Sequence, residues 1–150
     1  MRRYRLENVD TNERERLAVA IARRLSKHGF QALFAGGYVR DRLLGVEVRG
    51  DIDIATDAKP GEIARIFDHV AGVGAHFGVM LVIERGVPFE VATFRADIGG
   101  VDGRHPERVA FTDAREDAQR RDFTINGLFF DPFTAAIQDF VGGRRDLEAG

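Results

Sequence analysis

Apolar residues recur every four positions at Leu17, Ile21 and Leu25, the spacing of one buried stripe on an amphipathic helix. Asn12 with Glu15 reads as a capping box ahead of it. Gly29, after Lys27 and His28, reads as its stop. Gln31 to Ala35 predicts a strand that breaks on Gly36-Gly37, and a short helical pattern, Tyr38 to Leu44, closes on Gly45. Asp51-Ile52-Asp53-Ile54 alternates as a strand does. Pro60 suits a helix start, and Ile63, Ile66, Phe67 and Val70 carry that helix over about residues 60–70, before a loop at Gly72 and Gly74. Val79 to Glu84 and Phe89 to Arg95 predict a hairpin around Arg85-Gly86-Val87-Pro88. Residues 96–108 read as a long glycine-rich loop, and Val109 to Thr112 as a short strand. Asp113 with Glu116 is a second capping box, opening a helix to about Arg120. A further helix is expected over Phe123 to Phe130, a turn at Asp131-Pro132-Phe133-Thr134, and a last strand over Ala136 to Val141. Nothing repeats internally.

The chemistry concentrates where this pattern breaks. On an extended strand Asp51 and Asp53 share a face, and Ile52 and Ile54 take the other. Two neighbouring carboxylates repel unless a hard cation lies between them, and oxygen ligands at this spacing suit Mg²⁺. The glycines upstream let backbone approach a phosphate at a helix start, where anions are favoured. Taken singly, D-x-D is usually a solvated strand edge or turn, and Gly-Gly before a helix is common. The joint pattern is rarer. Asp122 and Asn126, four apart, share a helix face that Arg121 begins. An arginine fork suits triphosphate oxygens, and Asp with Asn suits a ribose hydroxyl. Alone, Arg-Arg-Asp reads better as a structural ion pair with a helix cap.

Composition narrows the class. The chain has 150 residues, 44% hydrophobic and 31% charged, a one-domain length with a globular balance. It has no apolar run of transmembrane length and no apolar stretch behind the basic start, so neither a membrane span nor a secretory signal is expected. Cysteine is absent, which excludes disulfides and thiolate metal sites and fits a reducing, cytoplasmic setting. The net charge of −2 argues against a generic nucleic-acid binder. Residues 1–28 nevertheless carry a net +4, against −6 for residues 29–150. That basic start reads as an exposed helix face before it reads as an RNA contact. His28 fits a favourable charge near a helix end. His69 and His76 lack metal-ligand spacing and read as structural.

Gly36, Gly37, Val39, Arg40, Asp41, Leu43, Leu44, Gly45, Asp51 and Asp53 resemble the first motif of the class II nucleotidyltransferases of the polymerase-β superfamily. These are the tRNA CCA-adding enzymes and related bacterial poly(A) polymerases. Arg120-Arg121-Asp122-Phe123-Thr124-Ile125-Asn126, followed by an apolar run and Asp-Pro, resembles that family's second motif. The resemblance covers about residues 20–145. It implies an α+β fold, a polymerase-β-like nucleotidyltransferase head domain. About five strands would form a mixed sheet, with helices packed on one face and the site on the open face. Residues 1–145 would form this head and 146–150 the start of a neck, with neck, body and tail domains absent.

The implied reaction is transfer of CMP or AMP from CTP or ATP to the 3′ end of tRNA. The resemblance gives Asp51 and Asp53 two Mg²⁺ ions. Glu90, on the hairpin, is the candidate third carboxylate, its alternative being an ion pair with an arginine such as Arg95. Gly36, Gly37, Arg40, Arg121, Asp122 and Asn126 would bind the nucleotide. Asp102, Gly103 and Arg104 resemble the family's flexible loop, with His105 where many members have arginine. Glu116-Asp117 with Arg120 imitates the E-D-x-x-R of the family's neck, but lies before the second motif and so is head sequence. With no neck motif, the chain is expected to bind metal and triphosphate weakly and to select bases poorly. The stretch Gly74 to Gly78 lacks the basic pair of bacterial poly(A) polymerases, which favours the CCA-adding type. Poly(A), CC-adding and A-adding readings stay open, as does an inert nucleotide-binding or scaffold module. No membrane is expected, and no protein partner is readable.

Overall fold

The computed structural model of the chain describes residues 11–44, 52–74, 78–98, 108–119 and 128–139. Along them run α1 Thr11–Lys27, β1 Ala32–Ala35, α2 Gly37–Leu44, β2 Asp53–Thr56, α3 Pro60–Ile66, β3 Val70–Gly74 and β4 Val79–Glu84. There follow β5 Val87–Thr93, β6 Arg95–Ile98, β7 Arg108–Phe111, α4 Ala114–Gln119, β8 Leu128–Phe130 and β9 Ile137–Asp139. The expected mixed sheet is present, but among the described residues it has seven strands rather than about five, in the order β3-β4-β5-β2-β1-β8-β9. β2 and β5 run parallel, and the other neighbours run antiparallel. A separate ribbon pairs β6 with β7.

The two faces of the sheet differ in the size of what they bury. Phe34, Ile54, Val91, Val82 and Leu128 point to one face, where Leu17, Ile21 and Leu25 of α1 and Ile63 of α3 meet them in the main core. Each such side chain contributes about 1.5–3 kcal/mol relative to exposure. The opposite face carries Ala35 and Ala55 beside Leu33 and Phe129, and α4 covers part of it through Ala114 and Ala118. Large residues therefore anchor α1, α2 and α3 on one side. Small ones leave a shallow floor on the other.

The α1 stripe folds as its period requires, and Gly29 ends the helix at φ 86°, with Phe30 N donating back to the Leu25 carbonyl at 3.1 Å. The carboxylate of Glu15, expected in a capping box, accepts from the hydroxyl of Tyr38 and from Arg42. α3 starts at Pro60, with Glu62 accepting from the Lys59 amide at 3.1 Å, and it ends at Ile66, short of residue 70. Val70–Gly74 is an edge strand where a loop was expected, bulged between Ala71 and Gly74. The hairpin turn is two residues, not four: Arg85 and Gly86 have φ 49° and 80°, and Glu84 pairs with Val87, as in a type I′ turn. Residues 96–98, expected in a loop, belong with Arg95 to β6. Leu128–Phe130 is a strand and not the end of a helix; Phe130 pairs with Phe34.

Candidate active site

Ile52 and Ile54 are each 1% exposed, and Ile54 and its neighbour Ile52 both belong to the core under the helices. Alternation along the strand sends Asp53 the other way. β5 lies parallel to β2 with Ile54 opposite Val91. One residue back on each strand stand Asp53 and Glu90, and paired positions of a parallel ladder share a face. Both carboxylates line one cavity of about 150 Å³, together with Ala35, Ala55, Ala92, Val79 and Arg95. A space of this size admits ions and a phosphate group.

The turn from β1 into α2 borders this floor. Gly36 has φ 74°, and a Cβ there would stand 2.9 Å from Oδ2 of Asp53. Glycine is required twice, by backbone conformation and by the carboxylate's approach. The Val39 amide closes the turn on the Gly36 carbonyl at 3.2 Å. Gly37 and Arg40 follow in the first turn of α2. Gly36, Asp53 and Glu90 are thus brought together. Asp51, Asp102, Gly103, Arg104, Arg121, Asp122 and Asn126 lie outside the described residues. The segment carrying the last three leads directly into β8, which lies beside β1.

Two further residues belong to the site's frame. Arg95 begins β6 and lines the cavity with Asp53 and Glu90. In sequence it figured only as an ion-pair partner for Glu90. Its backbone amide donates to Oδ2 of Asp117 at 2.9 Å. Asp117 is 2% exposed on α4, and a buried carboxylate needs such donors. The available signal was an aspartate one position before Ala118 and three after Ala114, on the small-residue face of that helix.

The donor set at the cavity is oxygen only, Asp53 and Glu90, the chemistry of Mg²⁺ sites that share their remaining positions with water and phosphate. Among the described residues no three His, Cys, Asp or Glu side chains gather closely enough to hold a metal by themselves. Two carboxylates beside a phosphate-sized space fit an ion that substrate helps to hold.

Residues 32–150 match the family model of the poly A polymerase head domain. The CCA-adding enzyme of Bacillus pumilus is 46% identical over 132 residues, 87% of this chain and 32% of that protein. The chain spans about a third of the length of such curated relatives. The solved CCA-adding enzyme of Bacillus stearothermophilus in complex with CTP superposes with a TM-score of 0.78 at 38% identity, over 89% of this chain and 31% of that one. A tRNA nucleotidyltransferase complexed with a primer tRNA and an incoming ATP analogue gives 0.63 at 30% identity, over 85% and 36%.

Proposed function

Because the chain belongs to the poly A polymerase head-domain family, we propose that it is the catalytic head of a template-independent RNA nucleotidyltransferase of the CCA-adding type. It transfers CMP and AMP from CTP and ATP to the 3′ end of tRNA. One observation carries the reading: Asp53 and Glu90 share a phosphate-sized cavity whose rim is the Gly36 turn. The names of the relatives and the CTP and tRNA complexes of the solved neighbours support the choice of substrates.

In the reaction a tRNA 3′-oxygen forms a bond to the α-phosphorus. The bond from that phosphorus to the bridging oxygen breaks, and pyrophosphate leaves with the electron pair. Asp53 and Glu90, with Asp51, would hold Mg²⁺, which when bound lowers the pKa of the attacking hydroxyl and offsets phosphate charge. The chain's other residues bind and orient. Backbone amides at Gly36 and Gly37 face the triphosphate at the start of α2. Arg40 and Arg121 clamp its oxygens, and Asp122 and Asn126 take the ribose. Asp117 holds the start of β6 and so sets where Arg95 meets the cavity. Positioning and electrostatics carry the rate. In this reading residues 102–104 help switch between CTP and ATP. The protein works in the cytoplasm in this reading; among the described residues no helix is long and apolar enough to cross a membrane.

The test is incubation with Mg²⁺, labelled CTP or ATP, and a tRNA lacking its 3′ end. CMP incorporation that disappears in Asp53→Ala supports the proposal. Long extension from ATP alone assigns the protein to the poly(A) type. Nucleotide binding with no incorporation assigns it to the binding-module class.

A further inference from the structure

We propose that Glu15, Tyr38 and Arg42 form a clasp that positions the Gly36-Gly37 turn for the nucleotide's triphosphate, a role that rests on the nucleotide reading of that turn. The Tyr38 hydroxyl donates to Oε1 of Glu15 at 2.6 Å. Arg42 Nη1 donates to the same oxygen at 3.2 Å and to the Tyr38 oxygen at 2.9 Å. Its guanidinium lies 4.6 Å over the ring of Phe130. The clasp therefore ties together α1, α2 and β8.

These elements matter because of what they border. Tyr38 stands two residues after Gly36. Phe130 ends the strand that issues from residues 121–127, where Arg121, Asp122 and Asn126 lie. One cluster thus joins the helix after the glycine turn to the strand that follows the second motif in sequence. α2 has only eight residues, too few to keep its place through helix stability alone. Its described buried side chains are Tyr38 and Val39, so the direction of its first turn depends on what holds Tyr38. The ring packs edge-on to Phe34 at 5.2 Å, which anchors the side chain in depth. The hydroxyl bonds fix the remaining tilt. Amides that bind phosphate tolerate little tilt, since misplacement by about 1 Å costs about a hundredfold in rate. Burial, and next the Glu15 bond, push the phenol up to about 12, so it stays a donor into the alkaline range. The side chains of Arg42 and Glu15 are 46% and 33% exposed, so water competes for the clasp and its effect is moderate.

The experiment uses the whole 150-residue protein, titrated with CTP in Mg²⁺ and followed by amide hydrogen exchange at Gly36 to Val39. Tyr38→Phe keeps the ring and deletes the donor. Glu15→Ala deletes the acceptor, and Glu15→Gln keeps one. Tyr38→Phe and Glu15→Ala are each expected to weaken CTP binding about threefold to tenfold and to speed exchange at the turn. The double variant should lose no more than the worse single one, and Glu15→Gln should stay within about twofold of the unaltered protein. Folded variants with unchanged CTP affinity and unchanged exchange overturn the clasp while leaving the nucleotide reading standing. Affinity losses that follow the fall in melting temperature across all variants also overturn it, because a purely structural contact behaves so. Absence of CTP binding by the unaltered protein overturns the nucleotide reading, and the positioning role with it.

Discussion

At Gly36 a left-handed backbone and a carboxylate's approach fall on one residue. Gly36→Ala is expected to cost about 1–2 kcal/mol from the positive φ alone, and its Cβ would press on Oδ2 of Asp53 at 2.9 Å. Gly29→Ala is the control: φ is 86° and the space around it is open, so stability should fall with nucleotide binding intact. Urea denaturation and CTP titration of the two variants separate conformation from site geometry. Tyr38 gives a second prediction. Its phenol is raised from 10.0 to about 12, so the folded state holds the proton longer than the unfolded one. The stability it contributes is complete below pH 10 and is lost as pH rises through about 12. The other charged groups of the clasp are Glu15 and Arg42. Thermal melts across pH 9–12 should show a decline that Tyr38→Phe removes in part.

Among the elements, the α1 stripe and the alternation around Asp53 were legible from the period of their residues. The strand before Gly36 is buried on both faces and was legible instead from its break on Gly36-Gly37. Leu128–Phe130 was misjudged as helical because the strand is buried on both faces. Leu128 and Phe130 enter the main core and Phe129 the small-residue side, and such a run is uniformly apolar with no visible period. β3 was missed because Val70–Gly74 is glycine-rich; as a bulged edge strand it needs pairing on one side only. Pro88 looked like part of a turn. It sits on β5 before residues 91–93, the ones β2 pairs with, where a missing amide breaks no ladder bond. At this scale α4 offers a test. Asp117→Ala deletes the acceptor of the Arg95 amide and is expected to cost about 1–3 kcal/mol in urea, whereas Asp117→Asn, which keeps a carbonyl oxygen, should lose less.

For the molecule as a whole, the seven-stranded sheet of the described residues has two unlike faces: large side chains hold α1, α2 and α3 on one, and Ala35 and Ala55 floor a cavity on the other, beside α4. The glycine turn and Asp53 could be read from the sequence because their residue types are forced by geometry. The partnership of Asp53 with Glu90 could only be suspected, since 37 positions separate residues that the β2–β5 pairing sets side by side. Arg95 and Asp117 were hidden for the same reason. The chain spans about a third of its relatives' length, and its E-D-x-x-R, Glu116-Asp117 with Arg120, lies before the second motif, not in the neck position that the resemblance gives the base-reading motif. The 150-residue protein should therefore bind CTP and ATP with affinities within about threefold of each other, a difference under 1 kcal/mol. A preference of a hundredfold would require a base-reading group within the head.

The site on the open face is tested most directly by calorimetric titration of CTP, with and without Mg²⁺, into the unaltered protein and Asp53→Asn. Mg²⁺-dependent binding that weakens about tenfold or more in the variant, at an unchanged melting temperature, is the predicted result. Equal binding by both proteins, or binding indifferent to Mg²⁺, contradicts the assignment.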